Sequence, residues 1–500
     1  MKIFILSVLF TLVISISFSQ ITQPTTLGLP DKRNSNSSLN LVNTVSITSF
    51  GVVPSPYLTS DDPIYLMKKD FKTAQYLINF NNVGLDAAMS AINDTAYQVI
   101  SIYFPAGNYI FSKPFKIKKG INIYGEGKNN TVIQFYNCNG IVFDNGLNHT
   151  CICNVKGDEE WNLDKKFIIR DLNIRGDANI DNNTESYAGI TINSGRLGGD
   201  ILNVQLQGFG TGIAFNNKSW DSRIDNVDIL YNIDSNRLPH KPYVDVGIKL
   251  SGQCVNDIIS NCHINAVTIG IEAKDLISCP CDPNKPNERT EGLQINNSII
   301  ASDKVGIYAV GALSLNVNNN VIDQNSNYGV IIKRCRSVLV SNNWISSKDS
   351  IKFQDQALAI EGSTDCHFSN NLIQSETPNS RTVGITNFVA DWGTSYNSNN
   401  ITFTGNTIAK AEYTGNNLFI ETGSKNISVI GNSFTRFTLK DRSGWNSYWQ
   451  KVQNSTKFPA PYIINNGTNT YPTPFLKSSS NRNINPLLLN NTFDYKLPQF

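Results

Sequence analysis

The chain has 500 residues, of which 40% are hydrophobic and only 16% charged, and its formal net charge is +2. That balance excludes a protein that grips a nucleic-acid backbone with a surplus of cations, and it excludes a long acidic tail. Polarity comes from Asn, Ser and Thr instead, which suits a loop-rich β fold and a partner rich in hydroxyls.

The first element is a targeting segment. Lys2 supplies a positive start, and Ile3 to Ile16 are an apolar run with few interruptions. Ser17-Phe18-Ser19 offers small residues where a signal peptidase inspects the chain. Residues 1–19 therefore read as a signal peptide, and Gln20 as the start of a secreted, extracellular protein. The run falls short of the ~20 residues that a membrane span needs, and no later segment reaches that length. Residues 20–43 read as a disordered leader. Sequons such as Asn93, Asn129, Asn400 and Asn426 agree with an exported glycoprotein. From Asn81 to Thr95, the apolar residues Leu85, Ala88, Met89 and Ile92 fall at helical spacing, which predicts a short helix capping one end of a core.

Residues 44–435 carry a long-period repeat. A motif Asn-x-x-(Ile/Leu) recurs from Asn203, Asn226, Asn261, Asn296, Asn319, Asn342 and Asn370, then with Gly first from Gly405 and Gly431. A second motif, Gly-Ile, runs in step at Gly189, Gly212, Gly247, Gly270, Gly306, Gly329 (as Gly-Val) and Gly384. Both series repeat a step of 23 residues, as from Asn203 to Asn226 and from Gly247 to Gly270. A fixed period on this scale means a solenoid. Within each period apolar residues alternate, which is a strand period. The expected fold is all-β: a right-handed parallel β-helix of about a dozen coils, three short strands per coil, with Ile, Val and Phe inside. The Asn residues read as scaffold, stacked in a hydrogen-bonded ladder at a turn. Where a step exceeds 23 the excess leaves as a loop, near Tyr231–Val244, Lys274–Gly292, Gln374–Thr382 and Phe388–Ser398. Residues 436–500 lose the repeat and form a separate C-terminal segment.

There are nine cysteines, so at least one is unpaired. Cys151-Ile-Cys153 and Cys279-Pro-Cys281 are spaced too closely for a zinc ribbon and lack a following His pair. No cofactor is required. Asp221, Asp225 and Asp228, three acids close in sequence, leave calcium as an option.

Several segments resemble the opening of pectate-lyase-superfamily proteins. They are Ser46-Ile-Thr-Ser-Phe-Gly51, the helix around Asp86–Ile92, Ile102-Tyr-Phe-Pro-Ala-Gly-Asn-Tyr109, Ile121-Asn-Ile-Tyr-Gly-Glu-Gly127 and Thr131-Val-Ile133. The resemblance implies the pectin-lyase-like β-helix, a scaffold shared by lyases, glycoside hydrolases, epimerases and tailspike depolymerases. It departs from the usual pattern by a long insertion between Gly51 and Asn81. The catalytic signatures of polygalacturonases and pectate lyases are absent, so no catalytic residue is carried over, and fold does not fix chemistry.

Candidates come from the expected strand register instead. Alternate residues face solvent and coils stack ~4.8 Å apart. This aligns Ala214, Lys249, Glu272, Tyr308, Ile331 and Ala359 in one column, with Asn216, Ser251, Lys274, Val310, Lys333 and Glu361 beside it. The Asn motif aligns Gln205, Asp228, His263, Ser298, Val321 and Trp344. A lyase needs a cation, a base and a proton donor, which Lys249, His263 and Tyr308 would supply. A hydrolase needs two carboxyls, and Asp228 with Glu272 would serve if their strands converge. Lys274, Trp344, Trp392, Arg237 and His240 are the candidates for substrate binding. The expected function is a secreted protein that binds and cleaves a polysaccharide along its side. With no basic groove evident, a hydrolase is favoured over a lyase. The alternative is a non-catalytic glycan-binding, matrix or adhesion protein. Nothing points to a nucleic acid, and the oligomeric state stays open.

Overall fold

A computed structural model describes residues 44–55, 71–94, 100–144, 166–176, 187–193, 198–230, 244–266, 268–275, 289–323, 325–347, 356–376, 381–389, 395–411, 416–437, 463–465, 476–478 and 492–493. The expected signal peptide and leader (residues 1–43), most of 436–500 and Cys151, Cys153, Cys279 and Cys281 lie outside these residues.

Three parallel ladders wind around one core. One is a 13-stranded sheet running from Phe115–Ile117 to Leu476–Ser478, here sheet C. The other strands form a 24-stranded set made of two ladders, sheets A and B. They join because Phe167–Gly176 and Gly199–Gln207 run through the bend and belong to both. Each coil visits A, B and C in turn, as in Gln294–Asn296, Ile299–Ser302 and Val305–Val310. The inward positions are one continuous apolar column set. Ile259, Ile295, Val317, Val340, Phe368, Phe403 and Val429, for example, are all buried. Phe368 stacks on Phe403 with centroids 4.7 Å apart.

The bend from A to B explains the Asn motif. Its first residue takes left-handed backbone: Asn203, Asn226, Asn261, Asn319, Asn342 and Asn370 all have φ between 53 and 58°, and Gly405 and Gly431 share the region. Asn and Gly are the residues that enter it at least cost. The second Asn turns inward and builds the ladder. Asn320, Asn343, Asn371, Asn406 and Asn432 are buried, and each Nδ2 donates to the Oδ1 of the next. One position departs from the expected register. The left-handed residue is Asn297, not Asn296, so His263 pairs with Ile299 rather than Ser298. Ser298 is 2% exposed and occupies the ladder position, whereas Ile299 is 49% exposed. Two consecutive Asn residues made the motif ambiguous by one, and in a strand a slip of one exchanges the two faces.

The capping helix is longer than its periodicity indicated, spanning Phe71–Asn93. Leu85, Ala88 and Ile92 close the core against Ile47, Val52 and Phe104. Its first half, drawn from the insertion after Gly51, buries Ala74, Leu77 and Ile78 beside Ile110. Asn81 joins the halves. Fully buried, it accepts from Val53 N and donates to the carbonyls of Val53 and Ile110.

One buried acid makes stability depend on pH. Asp257 sits under the bend from C to A, where its Oδ1 accepts from Ser219 Oγ and Ser222 N, and Oδ2 has no hydrogen-bond partner among the described residues. Burial pushes its pKa up to about 7, against the pull of those bonds. A carboxyl raised in the fold is held as the neutral acid there, so this group favours folding below its folded value and opposes it once ionised. Stability is therefore expected to fall as pH rises from about 4 to 7, by up to about 4 kcal/mol from this group alone. Urea unfolding across that range should show a slope that Asp257→Asn flattens. An unchanged slope in the variant rules this origin out.

Candidate active site

Sheet C is where the chain spends its extra length. From Gly199–Gln207 onward the A-to-B bend is tight. The long connections 145–165 and 276–288 follow a strand of sheet C, and 177–186, 231–243 and 348–355 precede one. Sheet C is thus the face whose strands the extra chain enters and leaves, and loops borne on a rigid scaffold are where binding residues concentrate.

Its outward columns match the expected register. Lys249 pairs with Glu272, and Glu272 with Tyr308. Lys274 lies in the next column, level with Ser251 and Val310. Lys249, Glu272 and Lys274 form no ion pair with another described residue. Tyr308 is half-buried. Burial, then the charges of Glu361 and Glu272, raises its pKa above the ordinary tyrosine value, so it carries its proton at neutral pH.

The other candidates do not join this cluster. Asp228 and His263 are neighbours, but on sheet B. Asp228 is tied to Lys128, whose Nζ lies 2.8 Å from its Oδ2 and also bonds Asn226 O. The hydrolase pair Asp228–Glu272 is therefore not formed, because the two residues leave the solenoid from different faces. The lyase set loses His263 for the same reason. Trp344 is exposed on sheet B between Val321 and Leu372, not on sheet C. Arg237, His240 and Trp392 lie outside the described residues. Of the three aspartates weighed for calcium, Asp225 is held by Arg223, Ser260 and Asn261, and Asp221 accepts from Asn256. No group of three or more His, Cys, Asp or Glu side chains suited to a metal occurs among the described residues.

Five residues that the sequence reading did not single out border the cluster. Asp275, Gly311, Arg334, Gly362 and Asn387 follow successive strands of sheet C, and the first four are stacked by backbone bonds from each N–H to the coil after it. Gly311 leaves room for Arg334 Nη2 to reach back and bond both carboxylate oxygens of Asp275, at 3.0 and 3.1 Å. The pair is sealed, with side chains 6% and 3% exposed. Lys333 pairs with Glu361 at 3.2 Å in the outward column. Strands Phe388–Val389 and Ser395–Tyr396 form a small antiparallel hairpin at this edge. The signal was present: Asp, Gly, Arg, Gly recur in the slot after each Gly-Ile strand. It becomes readable only when the coils are laid side by side.

Gly311 carries a sharp prediction. Its φ is +68°, and an added Cβ would lie 2.4 Å from the Asp275 carboxyl carbon. Gly311→Ala should separate Asp275 from Arg334 and cost about 3–5 kcal/mol, the range for breaking a buried pair. A melting temperature equal to that of the parent would show that the pair bears no load.

Taken together, a three-sheet parallel coil, a helix over its open end, an inner Asn ladder and a loop-bordered polar sheet define the class of right-handed parallel β-helix proteins. The family model described as "Rhamnogalacturonase A/epimerase, pectate lyase-like" matches residues 78–331, more than half of the chain, and the chain belongs to this family. Among solved structures it is similar to the A-module of the Azotobacter vinelandii mannuronan C-5 epimerase AlgE4, at 17% identity and a TM-score of 0.51, covering 80% of this chain and 98% of that one. The AlgE6 A-module of the same organism gives 15% identity and a TM-score of 0.50, over 80% and 96%. At such identity the likeness is one of fold. No curated protein matches the sequence. No helix among the described residues is long and apolar enough to cross a membrane.

Proposed function

We propose that the chain is a polysaccharide-acting enzyme that binds its substrate along sheet C and transfers a proton at a uronate carbon, as a lyase does. The observation that carries this is the column Lys249–Glu272–Tyr308, three chemically different groups in successive coils, the first two of which pair with no charge among the described residues. Lys249 and Lys274 neutralise the sugar carboxylate, which acidifies the adjacent C–H. Glu272 takes that proton. The electron pair left on carbon forms the double bond, the C–O bond to the neighbouring sugar breaks, and Tyr308 protonates the departing oxygen. A hydrolase would need two carboxyls ~5 to 9.5 Å apart. Glu361, the next outward carboxylate on sheet C, stands three coils from Glu272, about 14 Å. Asp275 is sealed by Arg334.

The test incubates the full chain with a panel of acidic and neutral polysaccharides in deuterated water. Reducing ends are followed together with unsaturated-uronate absorbance and deuterium at the sugar carbon. Absorbance rising with reducing ends supports elimination. Deuterium entering without cleavage means the same abstraction ends in epimerisation. Reducing ends alone would return the hydrolase and remove the proposal. Glycan binding without any product would favour a binding protein.

A further inference from the structure

Lys333 and Glu361 differ from the free charges nearby in how firmly they are held. They are outward neighbours in consecutive coils. Lys333 Nζ lies 3.2 Å from Glu361 Oε2 and 4.2 Å from the centroid of the Phe388 ring. Tyr396 stacks on Phe388 at 6.1 Å. The hairpin carrying both rings rests on Gly362, where an added Cβ would lie within 2.9 Å of the Cβ atoms of Phe388 and Tyr396. The Arg334 guanidinium stands 5.7 and 5.8 Å from the two rings, anchored in turn on Asp275. Four coils thus fix one lysine–carboxylate pair. Its side chains are nonetheless 25% and 29% exposed, so their polar ends still reach solvent.

An exposed ion pair adds little to stability, about 0–1 kcal/mol. What such rigid support favours is binding, because the ordering cost is met before the ligand arrives. Lys333 is one coil and two residues from Tyr308, a diagonal of about 8 Å, roughly the offset of the adjoining sugar ring. The pair is neutral overall and presents N–H donors beside carboxylate acceptors.

We propose that Lys333 and Glu361, positioned by Phe388, form a subsite for an uncharged pyranose next to Tyr308. One sugar hydroxyl accepts from Lys333 Nζ, and its vicinal neighbour donates to the Glu361 carboxylate. A uronate is rejected there because its carboxylate meets Glu361. This subsite rests on the reading of sheet C as the glycan-binding face.

The test is titration calorimetry of the full chain with two probes, a neutral hexose hexasaccharide and a uronate hexasaccharide. Glu361→Gln removes the acceptor charge and leaves Lys333 an uncompensated cation. Affinity for the neutral probe should fall about tenfold, the scale of a bond to a charged group, and affinity for the uronate should rise. Lys333→Gln should weaken uronate binding further, and thermal melts of both variants verify folding. Opposite shifts for the two probes support the subsite. Equal losses for both probes, or no change in either variant while the parent still binds and turns over a glycan, overturn the subsite alone. A parent chain that binds and turns over no glycan overturns that reading of sheet C as well.

Discussion

Glu272→Gln is expected to lower turnover of the polysaccharide by about a thousandfold, within the 10²–10⁴ range that a positioned acid or base contributes. The amide keeps the shape of the side chain but cannot take a proton. Glu272 makes no ion pair among the described residues, so the fold should lose no more than about 0.5 kcal/mol, as for an ordinary surface substitution. Tyr308→Phe should cost a similar factor for a different reason, since it removes the proton donor. The two variants separate in their pH profiles. At high pH the parent should hold its rate past the ordinary tyrosine range, because burial and the charges of Glu361 and Glu272 keep Tyr308 protonated. The fall in rate above that range should be missing in Tyr308→Phe, which has no phenol to ionise. Equal residual rates with unchanged profiles would mean that neither residue moves a proton.

An effect on stability as large as that at Gly311 is expected at Asn343. Five hydrogen bonds pass through its side chain. Oδ1 accepts from the N–H and Nδ2 of Asn320, and Nδ2 donates to the carbonyls of Val317 and Ser341 and to Asn371 Oδ1. Asn343→Leu, of similar volume, removes all five. The buried Asn320 N–H loses its acceptor, while Asn371 Oδ1 keeps the Asn343 N–H and Ser341 O keeps the Asn319 N–H. An orphaned buried donor costs about 1–3 kcal/mol and each other lost bond about 0.5–1.5 kcal/mol, partly relieved by relaxation, so a loss of about 3–5 kcal/mol follows, read as a lower urea midpoint. The adjacent Asn342 is the control. It is exposed at the bend with φ of 57°, a conformation glycine adopts freely. Asn342→Gly should therefore fall within about 1 kcal/mol of the parent. Equal effects at the two asparagines would overturn the division of labour between them.

The solenoid was legible because its cause is local and repeated. Each coil needs a left-handed residue at the A-to-B bend and inward apolar residues at alternate positions, so 23-residue periods of Asn, Ile and Gly-Ile betray it without any tertiary information. The column Lys249–Glu272–Tyr308 was legible for the same reason, since stacking coils convert sequence spacing into adjacency. The one slip, Asn296 for Asn297, came where two asparagines satisfied the same pattern and only inner burial could choose between them.

What the sequence could not determine was direction and reach. Asp228 and Glu272 both lie outward on strands, and nothing local says that one belongs to sheet B and the other to sheet C. That depends on where each coil bends. Nor does a sequence show that Arg334 reaches back to Asp275 across Gly311, because that contact spans 59 residues and exists only once coils are stacked and the side chain between them is missing. Repetition wrote the scaffold into the chain. The site is made by contacts between non-neighbouring coils, and only the folded structure brings those together.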